Sequence, residues 1–391
     1  MMNFSAFLAD TYALTLFAFF LITLIYLVIY YTLFHFKVGR SHSKTPKNEK
    51  IESDDEKKLP SISIVMVAHN DASWLRDNLV YLLEQDYPDF EVVVVDYLSQ
   101  DDTPFVLQVC GENYHNLKVI PFKEDINLSQ SKKFPLSIGI KSAQNNIIFL
   151  ADPDCIPTNF LWLRGMAKAY DNPETQIVLG YCGLKDAKGL FGLLQHYDNL
   201  EYSASYIGAT LLRRPYTGSG RNLSYKRDFF FERGAFISHY DIAEGADDMF
   251  VYQNANSHNT AVALEPEAFM VAEAKQSFSA WHELRYSRMA TRGRHHFWQR
   301  LNGDLRPAAV VLFYASMALL LVNATFPWQI LLAIVVAKLA WQIVSFSRLT
   351  RRFGGKGAEF LAPFFEIYFV FANTILALTP LRSNRRFKFN N

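Results

Sequence analysis

The chain has 391 residues, a formal net charge of +1 and 50% hydrophobic residues. That length holds one large domain and more, and the near-neutral balance lacks the basic footprint of a nucleic-acid binder, so no nucleic acid is expected as a partner. Cys110, Cys155 and Cys182 are few, odd in number and unpatterned, which excludes a disulfide framework and a paired-cysteine zinc site and fits a reducing compartment.

In chain order, residues 17–36 come first, an apolar and aromatic run of about 20 residues, the length that crosses a bilayer core. It lacks the positive start and small-residue cleavage site of a signal peptide, so a retained anchor is expected. Lys37, Arg40, Lys44 and Lys47 follow it, and the positive-inside rule then places the succeeding chain in the cytoplasm, at the plasma membrane. Residues 41–59, rich in Lys, Glu, Asp and Ser, read as a solvated tether.

Ser61 to Ala68 is predicted to be a strand and His69, Asn70 and Asp71 its polar turn. Leu75, Leu79, Leu82 and Leu83 then repeat at helical spacing. Residues 91–96 make a valine-rich strand ending in Asp96, 117–120 a third strand, 133–143 a helix and 147–150 a fourth strand. This alternation predicts a parallel sheet with helices on both faces, and in such sheets ligands sit beyond the carboxyl ends of the strands. Asn70, Asp96, Asp152 and Asp154 all fall at those ends.

Residues 146–157, N-I-I-F-L-A-D-P-D-C-I-P, hold the sharpest chemical signal. Residues two apart at a strand end project to one side, so Asp152 and Asp154 present two hard oxygen ligands on one lip of the sheet. Like charges held that close call for a cation, and Mg2+ or Mn2+ needs only one or two carboxylates beside water and phosphate. A polar turn after a core strand would carry the same letters.

Further on, residues 176–181 suggest another strand and 190–206 an amphipathic helix. Gly218 and Gly220 in Y-T-G-S-G-R-N-L-S-Y lack the third glycine and the first-strand position of a dinucleotide fingerprint. Asp247 and Asp248 follow Gly245 at the start of a predicted helix, where ordinary capping is the alternative to a chemical role. Residues 279–306 carry six arginines, Arg285 and Arg288 among them, against Glu283 and Asp304, with Trp281, Phe297 and Trp298 interspersed. A basic helix on the lipid surface is expected there. Residues 308–326, 328–346 and 360–378 are each long enough to span a membrane, but Pro363, Glu366 and Asn373 suggest that the last one re-enters or lies in the interface. A full third crossing would also put Arg382, Arg385, Arg386 and Lys388 outside, against the positive-inside rule.

Taken together, S-I-V-M-V-A-H-N-D (63–71), V-V-V-V-D-Y-L-S-Q-D-D-T (92–103), the lysine-led stretch from Lys132 to Gly139, A-D-P-D-C (151–155), and G-A-D-D (245–248) followed by Arg285 and Arg288 resemble a membrane-anchored family-2 glycosyltransferase. The resemblance covers about residues 60–300. It implies an α/β, GT-A nucleotide-diphospho-sugar transferase fold, a Rossmann-like mixed sheet with helices on both faces, flanked by N- and C-terminal membrane helices. The implied organisation is an anchor over 1–36, a linker over 37–60, a cytoplasmic catalytic domain over 61–278, a basic interfacial helix over 279–306, and membrane helices with a basic tail over 307–391.

Carried over by position, the resemblance implies that Asn70, Asp71 and Asp96 line the nucleoside pocket and that Lys132 sits near the nucleotide. Asp152 and Asp154 would hold a divalent metal and the donor diphosphate. Asp247 would be the general base, with Asp248 as second choice, and Arg285 and Arg288 would approach the leaving group or acceptor. The implied reaction is inverting hexosyl transfer from a nucleotide-diphosphate sugar to a lipid or lipid-linked acceptor of a cell-envelope glycan. Tyr97, Ala246 and Met289 depart from the family pattern. Met289, where a tryptophan is usual, argues against a processive polysaccharide synthase, and Tyr97 and Ala246 are what an inactive nucleotide-sugar-binding scaffold would carry.

Overall fold

The computed structural model describes residues 10–41, 59–122, 131–185, 187–242, 244–291, 294–295, 297–323 and 327–378. Lys44, Lys47, Arg292, Arg382, Arg385, Arg386 and Lys388, with most of the tether, lie outside the described residues. The chain divides into two compact units, one made of residues 41–187, 209–291 and 381–391, the other of residues 1–40, 188–208 and 292–380.

In the first unit, ten strands follow one another: β1 (Ile62–Ala68), β2 (Phe90–Tyr97), β3 (Leu117–Phe122), β4 (Ile147–Ala151), β5 (Cys155–Pro157), β6 (Ile177–Leu179), β7 (Cys182–Lys185), β8 (Leu223–Lys226), β9 (Thr260–Val262) and β10 (Met270–Glu273). Seven form one sheet in the order β3-β2-β1-β4-β8-β6-β9, and β5-β10-β7 form a smaller one. β1 and β4 are buried along their whole length, which is why they read as unbroken apolar runs rather than alternating ones. The parallel pairing predicted from the strand-helix alternation holds for β1 to β4, and β9 also runs parallel to β6. β8 runs antiparallel to both β4 and β6, so the sheet is mixed.

Register decides what the rim can hold. Ala68 lies beside Asp96 and Met66 beside Ala151, so the carboxyl ends of β1, β2 and β4 finish level with one another. β8 begins opposite Leu150 and runs back, which brings the turn before it, Gly220–Asn222, to the same rim. The helix Lys133–Ser142 packs against β1 and β2 through Gly139, where a Cβ would meet Val65 Cγ1 at 2.6 Å. That close approach draws Lys132 and Lys133 toward the rim.

Among the described residues, the second unit holds four helices long and apolar enough to cross a membrane: Thr11–Arg40, Leu305–Val322, Trp328–Phe353 and Ala358–Ile375. The first contains a π-helical segment, Tyr31–Phe36. One expectation is corrected. Among the described residues no single basic helix covers 279–306; one helix ends at Ala290 and the next runs unbroken over Phe297–Val322, carrying Arg306 into an apolar helix. The stretch 360–378 lies in one helix, Ala358–Leu378, with Pro363 inside it.

Glu366 is satisfied by buried ionic pairing. Its carboxylate accepts from Tyr31 Oη (2.8 Å), Lys338 Nζ (3.1 Å), Gln342 Nε2 (3.1 Å) and Arg306 Nη2 (3.3 Å). Arg306 also donates to Glu201 Oε1 (2.9 Å) and Tyr197 Oη (3.1 Å), both on the helix Gly189–Leu211, so it pairs with carboxylates rather than with lipid headgroups. Charges in such surroundings are tolerated only when matched. Replacing Glu366 by Leu is expected to lower stability by about 3–5 kcal/mol by stranding Lys338, and a Lys338→Met/Glu366→Leu double variant to recover most of that loss, as read by thermal unfolding in detergent.

Candidate active site

The loops after β1 and β2 are stitched together by polar contacts. Asn70 adopts φ 55°, a left-handed conformation that Asn tolerates, and its N–H donates to Ser99 Oγ (3.1 Å) while its Oδ1 accepts from Gln100 N (2.8 Å). Asp71 N donates to Thr103 Oγ1 (2.9 Å), and Asp71 Oδ2 accepts from His69 N (2.8 Å). Burial pushes the Asp71 carboxyl up to about 6, and burial likewise raises Asp96, which is almost fully enclosed at the end of β2. Tyr97 is buried with its ring toward Phe122, so it belongs to the sheet rather than to an open recognition surface.

Beyond β4 the two acidic residues take separate cationic partners. Lys132 Nζ donates to Asp152 Oδ1 at 2.9 Å. Asp154 Oδ2 accepts from Arg221 Nη2 at 2.5 Å and from Lys275 Nζ at 3.4 Å, and its Oδ1 accepts from the Cys155 thiol at 3.0 Å. Burial opposes ionisation of Asp154, but Arg221 and then Lys275 outweigh it and hold the carboxyl at about 2. Burial also opposes the Lys132 ammonium, yet Asp152 and Asp247 outweigh it and raise its pKa above the ordinary value. The repulsion foreseen between Asp152 and Asp154 is therefore relieved in part by the protein's own cations.

Asp247 reaches this cleft from the other side. Val67, Lys132, Ala151, Asp152, Gly220 and Asp247 are among the residues lining one small cavity that opens to solvent. Although Asp247 precedes the helix Asp248–Asn254, its side chain does not cap that helix. Its Oδ2 instead accepts the Gly220 N–H at 2.6 Å. Asp248 turns inward: its Oδ2 accepts from Thr291 Oγ1 and its Oδ1 from Met249 N (2.7 Å), and burial followed by the Asp247 charge pushes it up to about 7.

Arg285 and Arg288 lie on the helix Phe278–Ala290, which holds the same acidic segment through Ser287 Oγ to Glu244 Oε2 (2.8 Å) and, just past its end, through Thr291. Arg285 is buried with its guanidinium over the Trp281 ring at 5.1 Å. Neither arginine is among the residues that line the cavity. The structure thus brings Lys132, Asp152 and Asp247 to one cavity, sets Asn70 and Asp71 on the loop after β1 and Asp96 at the end of β2, and buries Asp248. Sequence reading missed Gly220, Arg221 and Lys275. A backbone N–H has no signature in residue type, and Arg221 and Lys275 lie 67 and 121 positions from the carboxylate they serve.

Asp152 lines the cavity and could face a divalent cation that completes its shell with water and donor phosphate, whereas Asp154 is not among the lining residues and is already engaged by Arg221 and Lys275. Among the described residues no group of three or more His, Cys, Asp or Glu side chains is placed to hold a metal ion.

The mixed sheet and its flanking helices define the GT-A class of nucleotide-sugar transferase folds. A solved mannosyltransferase from Pyrobaculum calidifontis, described in complex with GDP-Man and Mn2+, shares that fold with a TM-score of 0.54 at 19% identity, over 90% of this chain and 99% of that one. Residues 63–236 match the family model for glycosyl transferase family 2. Among curated proteins it is similar to the poly-beta-1,6-N-acetyl-D-glucosamine synthase of Staphylococcus epidermidis, 22% identical over 219 residues, which make up 55% of this chain and half the length of that synthase. It is also 29% identical to glycosyltransferase AglE of Haloferax volcanii over 111 residues, 28% of this chain and 35% of that protein.

Proposed function

We propose that this protein is a membrane-bound, inverting glycosyltransferase that moves a hexosyl group from a nucleotide-diphosphate sugar to a hydroxyl of a lipid or lipid-linked acceptor at the cytoplasmic face of the plasma membrane. The observation that carries this reading is the meeting of Asp247 with Lys132 and Asp152 in one solvent-open cavity at the carboxyl ends of the strands. Asn70 and Asp71 on the loop after β1 and Asp96 at the end of β2 would receive the nucleoside. An acceptor hydroxyl is a poor nucleophile, and a carboxylate that takes its proton as the bond forms typically contributes ~10²- to 10⁴-fold. Asp247, partly exposed and held by Gly220, suits that role, whereas Asp248 already accepts from Thr291 and faces inward. One base opposite the leaving group gives single displacement with inversion.

As the donor breaks, negative charge grows on the departing diphosphate, and Lys132 stands where it can meet that charge. Mg2+ or Mn2+ held by Asp152 and Asp154 would supply further neutralisation of the same oxygens. Arg285 and Arg288 would act from the helix that braces the Asp247 segment.

The test is release of free nucleoside diphosphate by full-length protein in detergent, offered a panel of nucleotide sugars and lipid-linked acceptors. Release is expected with one donor class and to fall by at least about 10²-fold after EDTA treatment, with recovery on adding Mn2+. No release with any donor would overturn the proposal, and nucleotide binding without release would favour an inactive scaffold. The match to the S. epidermidis synthase keeps chain polymerisation as a second reading. Product mass decides between them, since a single added sugar supports the proposal and a ladder supports polymerisation.

A further inference from the structure

Two lysines in succession open the helix Lys133–Ser142, at the end where the helix dipole disfavours cations. Lys132 points to Asp152. Lys133 points elsewhere and is fully buried, and so is costly unless its ammonium is well partnered. Its Nζ donates to the His239 carbonyl at 2.6 Å and to the Ile242 carbonyl at 2.7 Å. Both carbonyls belong to the chain that leads from the short turn Ile237–His239 to Gly245, Ala246 and Asp247. The charges facing the ammonium are Asp248, Asp241, Glu244 and Asp247, all negative and all from this stretch.

We propose that Lys133 is a positioning residue: it clamps the peptide carbonyls of His239 and Ile242 and so holds Asp247 at a fixed distance from Asp152, which the neighbouring Lys132 grips from the same helix start. This rests on the glycosyl-transfer reading for its catalytic consequence, but the clamp itself can be observed without any reaction. Two hydrogen bonds from one ammonium secure a stretch that also carries four carboxylates within eight residues, whose mutual repulsion would otherwise push it outward. The segment is also braced by Ser287 on Glu244, Thr291 on Asp248 and the Gly220 N–H on Asp247, and Lys133 adds the contact from the helix packed on β1 and β2.

The experiment compares full-length wild type with Lys133→Met, which keeps the length of the side chain but donates nothing, and Lys133→Arg. In Lys133→Met, amide hydrogen exchange over residues 237–248 is expected to quicken by about tenfold or more while β1, β2 and β4 keep their protection. UDP and GDP affinities are expected to stay within about twofold, and turnover at saturating donor to fall by about 10²-fold with KM for the donor unchanged, as a displaced base requires. Unchanged exchange over 237–248, or unchanged turnover with the segment loosened, overturns the proposal. Should Lys133→Met lose protection throughout the sheet, Lys133→Arg decides: a protected segment with turnover within about tenfold of wild type supports the clamp, and a loosened segment on an intact sheet overturns it. A wild-type protein that transfers no sugar sinks the functional proposal, while the exchange comparison still judges the clamp.

Discussion

Asp247→Asn is expected to abolish nearly all sugar transfer while leaving nucleotide binding in place. The amide keeps the size of the carboxyl, and its oxygen can still accept the Gly220 N–H, so the geometry around the 2.6 Å contact survives. What disappears is basicity. A general base contributes ~10²- to 10⁴-fold, so turnover should drop by that factor, about 3–5 kcal/mol of transition-state stabilisation. UDP and GDP titrations should match wild type within about twofold, because the proposed base would meet the acceptor rather than the nucleotide. Asp248→Asn provides the comparison: that side chain is buried against Thr291, so its loss should appear in thermal stability more than in turnover. Full activity in Asp247→Asn would remove the base assignment.

Gly220→Ala should do nearly as much damage with a single methyl group. A Cβ there would stand 2.8 Å from Asp247 Oδ2, 3.0 Å from its Cβ and 3.2 Å from its Cγ. The aspartate must rotate away and give up the Gly220 N–H. Gly220 does not occupy a left-handed backbone conformation, so alanine strains nothing else in the turn, and Arg221 can keep its hold on Asp154. A base displaced by an ångström costs about 10²-fold, and the loss should fall on turnover with donor affinity retained. Gly111→Ala is the matched control, since a Cβ there meets nothing within 4 Å, and full activity is expected from it. Wild-type turnover in Gly220→Ala would mean that Asp247 works from another position.

Much of the sheet was legible because buried strands advertise themselves as valine and isoleucine runs, and because acidic residues at their ends stand out against that background. Asp96 and Asp152 stood out that way, whereas Asp247 was singled out by the family resemblance, since its place after a glycine turn reads equally well as helix capping. The partners of these acids were not legible. Arg221 sits in a turn whose glycines suggested phosphate binding and then failed that test, while the real demand on Gly220 comes from an aspartate 27 positions later. Lys133 looked like one more helical lysine, although its partners lie 106 and 109 residues on. Contacts of that span depend on how β8 returns along β4, which local patterning does not encode. The same limit applied to Glu366, which in isolation counted against a membrane crossing and in the fold receives four donors.

That carboxylate bears on how the chain can be made. Its donors come from helices that begin at Thr11, Phe297 and Trp328, all of which leave the ribosome before it does. Were the final helix to span the bilayer, it would enter at low cost only once those earlier helices waited there to receive it. A shortened version begun after Arg40, the customary route to a soluble catalytic fragment, would deprive Glu366 of Tyr31 and present the insertion machinery with a less well neutralised acid.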